Sequence, residues 1–275
     1  MASTTSSNIP PSPPSGLRNR GLNENGAKST GSNLNSSTHD ARSNGVLNLP
    51  ILDGEHTPPN VALYSAACGL VVGIGATIGV STSDSGASGI GFFIAALACF
   101  HLLEYLPTAM YHPDTVGLKS FLFNHSPSFN VAMISSVIEY LVEWRLCPWL
   151  KHYSSLTRIG LILVILSQAL RTTAMITASS NFTHLIRDEK RPEHILVKHG
   201  VYSILRHPSY TGFFYWGIGL QIMMCNPICL VGYAVALWKF FSDRIAYEEF
   251  TLARFFGHEY IEYKKRTITA IPFIQ

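Results

Sequence analysis

Four apolar runs of roughly bilayer length follow one another between residues 61 and 178, at about Val61–Val80, Gly89–Leu106, Phe129–Trp144 and Leu156–Ala178. No other feature constrains the chain so strongly. In hydrocarbon no water is available to the backbone, so each run has to bond its own N–H and C=O groups, which a helix does. Only 13% of the residues are charged and 47% are hydrophobic, as expected of an integral membrane protein. The net charge of +3 is dispersed through loops. It builds no basic face for nucleic acid, so nucleic-acid partners are not expected. The five cysteines (Cys68, Cys99, Cys147, Cys225, Cys229) fall in or beside apolar runs without a CxxC pair and read as buried thiols. No metal site is expected.

Two shorter runs, about Thr211–Cys225 and Ile228–Phe241, are separated by Asn226-Pro227. At 1.5 Å per residue each spans only ~21–23 Å, short of a ~30 Å hydrocarbon core. The tight join predicts a short C-terminal helical hairpin that thins the bilayer locally. The fold expected is therefore all-α and polytopic, with about six transmembrane helices. Three regions follow: residues 1–57, rich in Ser, Asn, Gly and Pro and predicted to be a disordered cytosolic tail; residues 58–180, the N-terminal transmembrane helices; and residues 181–275, a catalytic region ending in an amphipathic segment at the membrane face. Myristoylation needs Gly after the initiator Met, and Ala2 stands there, so the spans are expected to hold the protein.

Segments 179–210 and 243–275 carry five Lys or Arg each, and the turn 81–88 carries none. Six spans then place both basic segments and the tail in the cytosol. Arg145, Lys151 and Arg158 fall on the opposite side, against that rule. Pro107 is expected to close the second span just past His101 and Glu104, near enough to the interface to be solvated. Arg171, deep in the fourth run and on one face with Gln168, is expected to point into the bundle.

The polar chemistry concentrates in His199–Gly212, HGVYSILRHPSYTG, between a charged segment and an apolar one. Pro208 breaks a regular helix there, and Gly200 and Gly212 are expected to free the backbone on both sides. Such a stretch is either an interfacial anchor, with Tyr at headgroup depth and Arg snorkelling, or the lining of a site. A second cluster, Arg244 and Glu248, lies one helical turn apart beyond the last apolar run. Alone it reads as a surface salt bridge. The short hairpin returns it to the face that carries RHPSY, which favours a shared site. No Ser-His-Asp order, HExxH or phosphate-binding loop is present, and the glycines of VVGIGATIG lie inside an apolar run without a following acid.

LVKHGVYSILRHPSYTGFFYWGIGLQIMMCNPIC, FFSDRIAYEEFTLARFFGHEYIEYKKRT and NFTHLIRDEK together resemble the isoprenylcysteine carboxyl methyltransferase family, closely over the last third of the chain. RHPxYxG alone is shared with phospholipid methyltransferases and NADPH-dependent sterol reductases, which stand as alternatives. The resemblance implies an endoplasmic reticulum enzyme with a cytosol-facing site. It would methylate the C-terminal carboxylate of prenylated cysteine in CaaX proteins, small GTPases among them, with S-adenosyl-L-methionine as cofactor. By the same resemblance, cofactor contacts would fall on His194, Ile195, Leu196, Val197, Tyr202, His207, Pro208, Ser209, Tyr210 and Glu248. Arg244 would grip the substrate carboxylate, and Arg244 and Glu248 would be the catalytic pair. Relatives often carry Gln where this chain has Arg187.

Overall fold

The computed structural model describes residues 54–82, 86–186, 188–190, 192 and 194–275. The expected disorder of the tail falls on residues outside that set, except for 54–57, and so does Arg187. Among the described residues there are seven α-helices: α1 Pro58–Ser81, α2 Ser88–Tyr111, α3 Pro127–Leu146, α4 Ser154–Ala178, α5 Pro208–Met224, α6 Pro227–Phe256 and α7 His258–Arg266. No strand is present among them, only an isolated bridge between Leu205 and Ile268. Three stretches are long and apolar enough to cross a membrane: α1, α2 and Ser154–Asn181.

Proline opens four of the helices. Pro58, Pro127, Pro208 and Pro227 stand in the first turns of α1, α3, α5 and α6, where a missing N–H costs nothing. Pro208 therefore interrupts the HGVYSILRHPSYTG stretch by starting a helix in its middle. Pro107, by contrast, does not end α2, which runs four residues further. The proline forfeits its own bond to the Leu103 carbonyl, yet the helix continues through it, and Thr108 Oγ1 donates to the Glu104 carbonyl at 3.0 Å.

α4 and α5 pack against each other along most of their length, and α1 packs on α2. Glycine makes the first contact possible. A Cβ on Gly212 would lie 2.8 Å from the Ser167 carbonyl and 2.9 Å from the Arg171 nitrogen. Gly212 is thus a packing glycine inside α5 and releases no backbone there. Gly200, with φ +57°, does occupy the left-handed region. The main core gathers Phe93, Phe100, Tyr140, Trp216, Leu220 and Met223. Phe214, Phe241, Ile245 and Ile271 form a second cluster, which ties the C-terminal segment to α5 and α6.

The sharp joint between α5 and α6 is held by charge. Lys151 Nζ donates to the carbonyls of Met224 and Cys225 at 3.0 and 2.9 Å, and to Asn226 Oδ1 at 2.9 Å. Glu143 pairs with the same ammonium at 2.6 Å. Glu139 accepts from the backbone N–H groups of Ile228 and Cys229 at 2.7 and 2.6 Å. A cation thus closes the carbonyl end of α5 and an anion the amide end of α6, matching both helix dipoles. The conflict with the charge rule shrinks accordingly, because Lys151 is buried and fully committed to protein partners.

α6 departs from its sequence reading. Its apolar part was expected to stop at Phe241 and give way to a separate interfacial helix, yet the helix continues unbroken to Phe256. No Gly or Pro interrupts residues 233–256, and at 1.5 Å per residue the helix reaches ~45 Å. Gly257, at φ +54°, ends it.

Candidate active site

Because Pro208 starts α5 immediately after His207, the side chains of His207, Ser209 and Tyr210 leave the backbone together at one helix end. The rings of His207 and Tyr210 stack with centroids 5.5 Å apart and planes 5° from parallel. From α6, Arg244 Nε donates to the Tyr210 hydroxyl at 2.9 Å, and its guanidinium lies over the Tyr210 ring at 5.2 Å. Arg244 Nη2 donates to the His184 carbonyl at 2.5 Å. One turn on, Glu248 Oε2 lies 3.6 Å from His207 Nδ1.

These side chains border a cleft between the α4–α5 connection, the first turn of α5, the far end of α6 and α7. Nine residues singled out from sequence line it: His194, Ile195, Leu196, Val197, Tyr202, His207, Ser209, Tyr210 and Glu248. Pro208 is buried at the start of α5 and does not line the cleft, and neither does Arg244, which meets it through Tyr210. Thr251, Leu252 and Phe255 of α6 add an apolar strip. Among the described residues no His, Cys, Asp and Glu group could hold a metal ion.

Two charge networks support the cleft. Arg171 grips Glu104 with both prongs, Nε to Oε1 at 2.5 Å and Nη2 to Oε2 at 2.9 Å. Its Nη1 donates to Ser209 Oγ at 2.8 Å. Arg171 does point into the bundle. Glu104, expected to be solvated, is instead fully buried, since α2 extends past it and α4 covers it with the guanidinium. His101 is buried too, with Nδ1 2.9 Å from the Phe121 carbonyl.

The second network is Arg206–Glu249–Lys264. Arg206 Nε donates to Glu249 Oε1, Arg206 Nη1 to the Thr267 carbonyl at 2.8 Å, and Lys264 Nζ to Glu249 Oε2 at 2.5 Å. Burial alone would raise the Glu249 carboxyl, but contacts from His207, Lys264 and Arg206 outweigh it and hold the group at about 2. His184 is pushed the other way for a base. Burial lowers its imidazole to about 4, against the pull of Glu104 and with the help of Arg171. Burial, and then the charge of Glu248, raise the Tyr202 hydroxyl, which keeps its proton at any physiological pH.

Four cleft residues hold buried polar atoms with no hydrogen-bond partner in the protein: Arg206 Nη2, His207 Nε2, Glu248 Oε2 and the Tyr260 hydroxyl. Native proteins leave few such atoms. Half of those among the described residues gather in this one cleft, the others being on His125, Gln168, His184 and Trp216, and the cleft set suits a ligand that carries both charges.

The comparisons with known proteins decide the family. The pattern of the Isoprenylcysteine carboxyl methyltransferase (ICMT) family matches residues 160–254, α4 through most of α6. The protein-S-isoprenylcysteine O-methyltransferase of Xenopus laevis is 46% identical over 215 residues, covering 78% of this chain and 74% of its own. The Saccharomyces cerevisiae protein of that name is 50% identical over 188 residues, covering 66% and 79%. A solved structure of the eukaryotic intramembrane Ras methyltransferase ICMT is 43% identical, with TM-score 0.74 over 78% of this chain and 76% of its own. The chain belongs to the isoprenylcysteine carboxyl methyltransferase family. It is a multi-pass membrane methyltransferase.

Several residues that build the site of this family member were not singled out from sequence. Arg206 sits beside His207 in RHPSY, and Glu249 beside Glu248. Neighbours on a helix point about 100° apart, so sequence alone could not say which acid faces the cleft and which anchors Arg206. Tyr260 carried a faint signal, one of two tyrosines in a short, mostly charged helix. His184 lay inside the family-like stretch NFTHLIRDEK but with no role attached to it, because its carbonyl is what meets Arg244.

Proposed function

We propose that this methyltransferase esterifies the C-terminal carboxylate of isoprenylated cysteine, using S-adenosyl-L-methionine as methyl donor. The observation that carries the reading is Arg244. Its guanidinium is fixed by Tyr210 and the His184 carbonyl, one turn from Glu248 and at the edge of a cleft whose polar atoms await a ligand. When bound, the cofactor supplies an electrophilic methyl group on a positively charged sulfur. Glu248 and the ring faces of Tyr210 and His207 provide the negative charge and π surface that such a cation favours. The contacts proposed for it are His194, Ile195, Leu196, Val197, Tyr202, His207, Pro208, Ser209, Tyr210 and Glu248. Its adenine suits the apolar strip better than the charged end.

Arg244 is the proposed grip on the substrate carboxylate, since a planar guanidinium holds both oxygens and fixes their direction. That carboxylate, with a pKa near ~3.5, is already ionised at neutral pH, so no general base is needed. What the protein contributes is alignment of two charged partners and removal of their water. The reading extends to residues 181–275 as the catalytic region, six spans with α5 and the apolar part of α6 as a hairpin, and an endoplasmic reticulum membrane with the site facing the cytosol. Prenylated CaaX proteins such as small GTPases are the proposed substrates. Membranes holding the protein, given labelled S-adenosylmethionine and N-acetyl-farnesylcysteine, are expected to form a base-labile methyl ester. Intact, inserted protein that forms none would refute the assignment.

A further inference from the structure

Arg206 offers a cation that the chemistry above does not use. Two corners of its guanidinium are committed: Nε to Glu249 and Nη1 to the Thr267 carbonyl. The third, Nη2, is buried without an acceptor, although the side chain is only 4% exposed and the residue lines the cleft. A guanidinium tied at two corners cannot swing to find water, so its free corner keeps a fixed direction.

The charge around it does not balance. Glu249 carries one negative charge and accepts from both Arg206 and Lys264. The trio is therefore left with a surplus of one positive charge, shared between Arg206 in the cleft lining and the partly exposed Lys264 outside it. The Tyr260 hydroxyl, buried and also without a partner, lines the same cleft. One residue back along α6, Glu248 brings a buried carboxylate oxygen that is likewise unspent. The cleft thus presents an uncommitted donor corner and, on Glu248, a carboxylate oxygen without a hydrogen-bond partner. That pair matches an α-amino acid, which carries a carboxylate and an ammonium on one carbon.

We infer that Arg206 is a cofactor-binding residue: its Nη2, assisted by the Tyr260 hydroxyl, takes the α-carboxylate of S-adenosylmethionine and leaves Glu248 to face the positive charges. The inference rests on the proposed methyl donor. It assigns Arg206 to binding and not to methyl transfer, because the carboxylate is remote from the transferred group. The Glu249–Lys264 pair becomes the brace that fixes the guanidinium.

Decarboxylated S-adenosylmethionine lacks only that carboxylate, and calorimetric titration of purified protein reads the difference directly. The parent is expected to bind S-adenosylmethionine at least about tenfold more tightly than the decarboxylated compound, as one charge-assisted contact implies. In Arg206→Gln and Arg206→Lys the two affinities are expected to converge to within about threefold, chiefly through weaker binding of S-adenosylmethionine. Tyr260→Phe, which removes one oxygen, narrows the gap by less and supplies a milder variant if the Arg206 changes impair folding. A parent that binds both compounds equally overturns the inference. So does a variant that weakens both in parallel, which is the signature of a purely structural Arg206. A parent that binds neither sinks the choice of methyl donor itself, a separate failure.

Discussion

α5 carries a polar cluster at each end, and the two are built on opposite terms. At its C-terminal end, Lys151, Glu143 and Asn226 meet around the α5–α6 joint, and Glu139 caps α6. Ser136, Gln221 and Asn226 continue the network: Gln221 Nε2 donates to Ser136 Oγ at 2.9 Å, and Asn226 Nδ2 to the Ser136 carbonyl at 2.9 Å. None of these side chains leaves a buried polar atom unpaired. At its N-terminal end, Arg206, His207, Glu248 and Tyr260 each keep one in reserve. Both clusters are mostly buried, so burial does not distinguish them. The joint's polar groups have their partners supplied by the fold, whereas those at the cleft do not; between the ends, core Trp216 also leaves its Nε1 unpaired.

The comparison breaks hardest at Lys151. Lys151→Met removes a buried ammonium and leaves Glu143 and the α5 carbonyls without it, a loss of about 3–5 kcal/mol. The detergent-solubilised protein should unfold at a much lower temperature, while the molecules still folded methylate at near-parental rates. A variant of parental stability would show that the joint is not held by charge. Arg244→Ala should give the converse, a fall of roughly a hundredfold or more in methyl transfer with little change in unfolding temperature. Arg244→Lys is expected to recover little of it, because an ammonium is a point charge. If the alanine variant keeps its rate and both Michaelis constants, Arg244 is a surface residue after all.

Glu139→Gln tests a milder form of the first cluster. The amide can still accept one N–H of α6 but loses its charge at the helix start, worth about 1 kcal/mol in the unfolding curve. Acid separates further contributions. His184 is held near 4 against an ordinary 6.5. The unfolded chain therefore takes up that proton first, and stability present above pH 6.5 drains away as the pH falls toward 4. Glu249, held near 2 against an ordinary 4.5, stabilises fully above 4.5 and gives that up as the pH falls toward 2. Unfolding temperatures of His184→Gln and Glu249→Gln should each flatten in their own window, and flattening in the other's would show the assignments exchanged. Removal of residues 2–50, which supply few apolar side chains, is expected to change methyl transfer by no more than a few-fold.

Much of this was legible before any coordinates. Apolar runs announced α1 to α4, because the bilayer leaves the backbone no alternative to the helix. Nine of the residues singled out by family resemblance line one cleft, with Pro208 and Arg244 just outside its lining. What sequence hid was partnership. Glu104 and Arg171 lie on different helices 67 positions apart, and only the packing of α2 on α4 turns two isolated intramembrane charges into a pair. Lys151 looked like a breach of the charge rule until the carbonyls it meets were seen. Pro107 misled because a proline inside a helix costs a backbone bond without always ending the helix, and α2 carries on past it for one more turn.

The unbroken run of α6 makes its length a measuring rod. It is fixed at the joint by Glu139 and carries Arg244 and Glu248 seventeen and twenty-one residues after Pro227. One residue added near Ala236 would turn everything beyond it by about 100° and advance it about 1.5 Å, sending both side chains away from Tyr210. Sequence drift that loops absorb at will is thus forbidden along these thirty residues. A one-residue insertion in α6 is therefore expected to abolish methyl transfer where the same insertion in a loop would not.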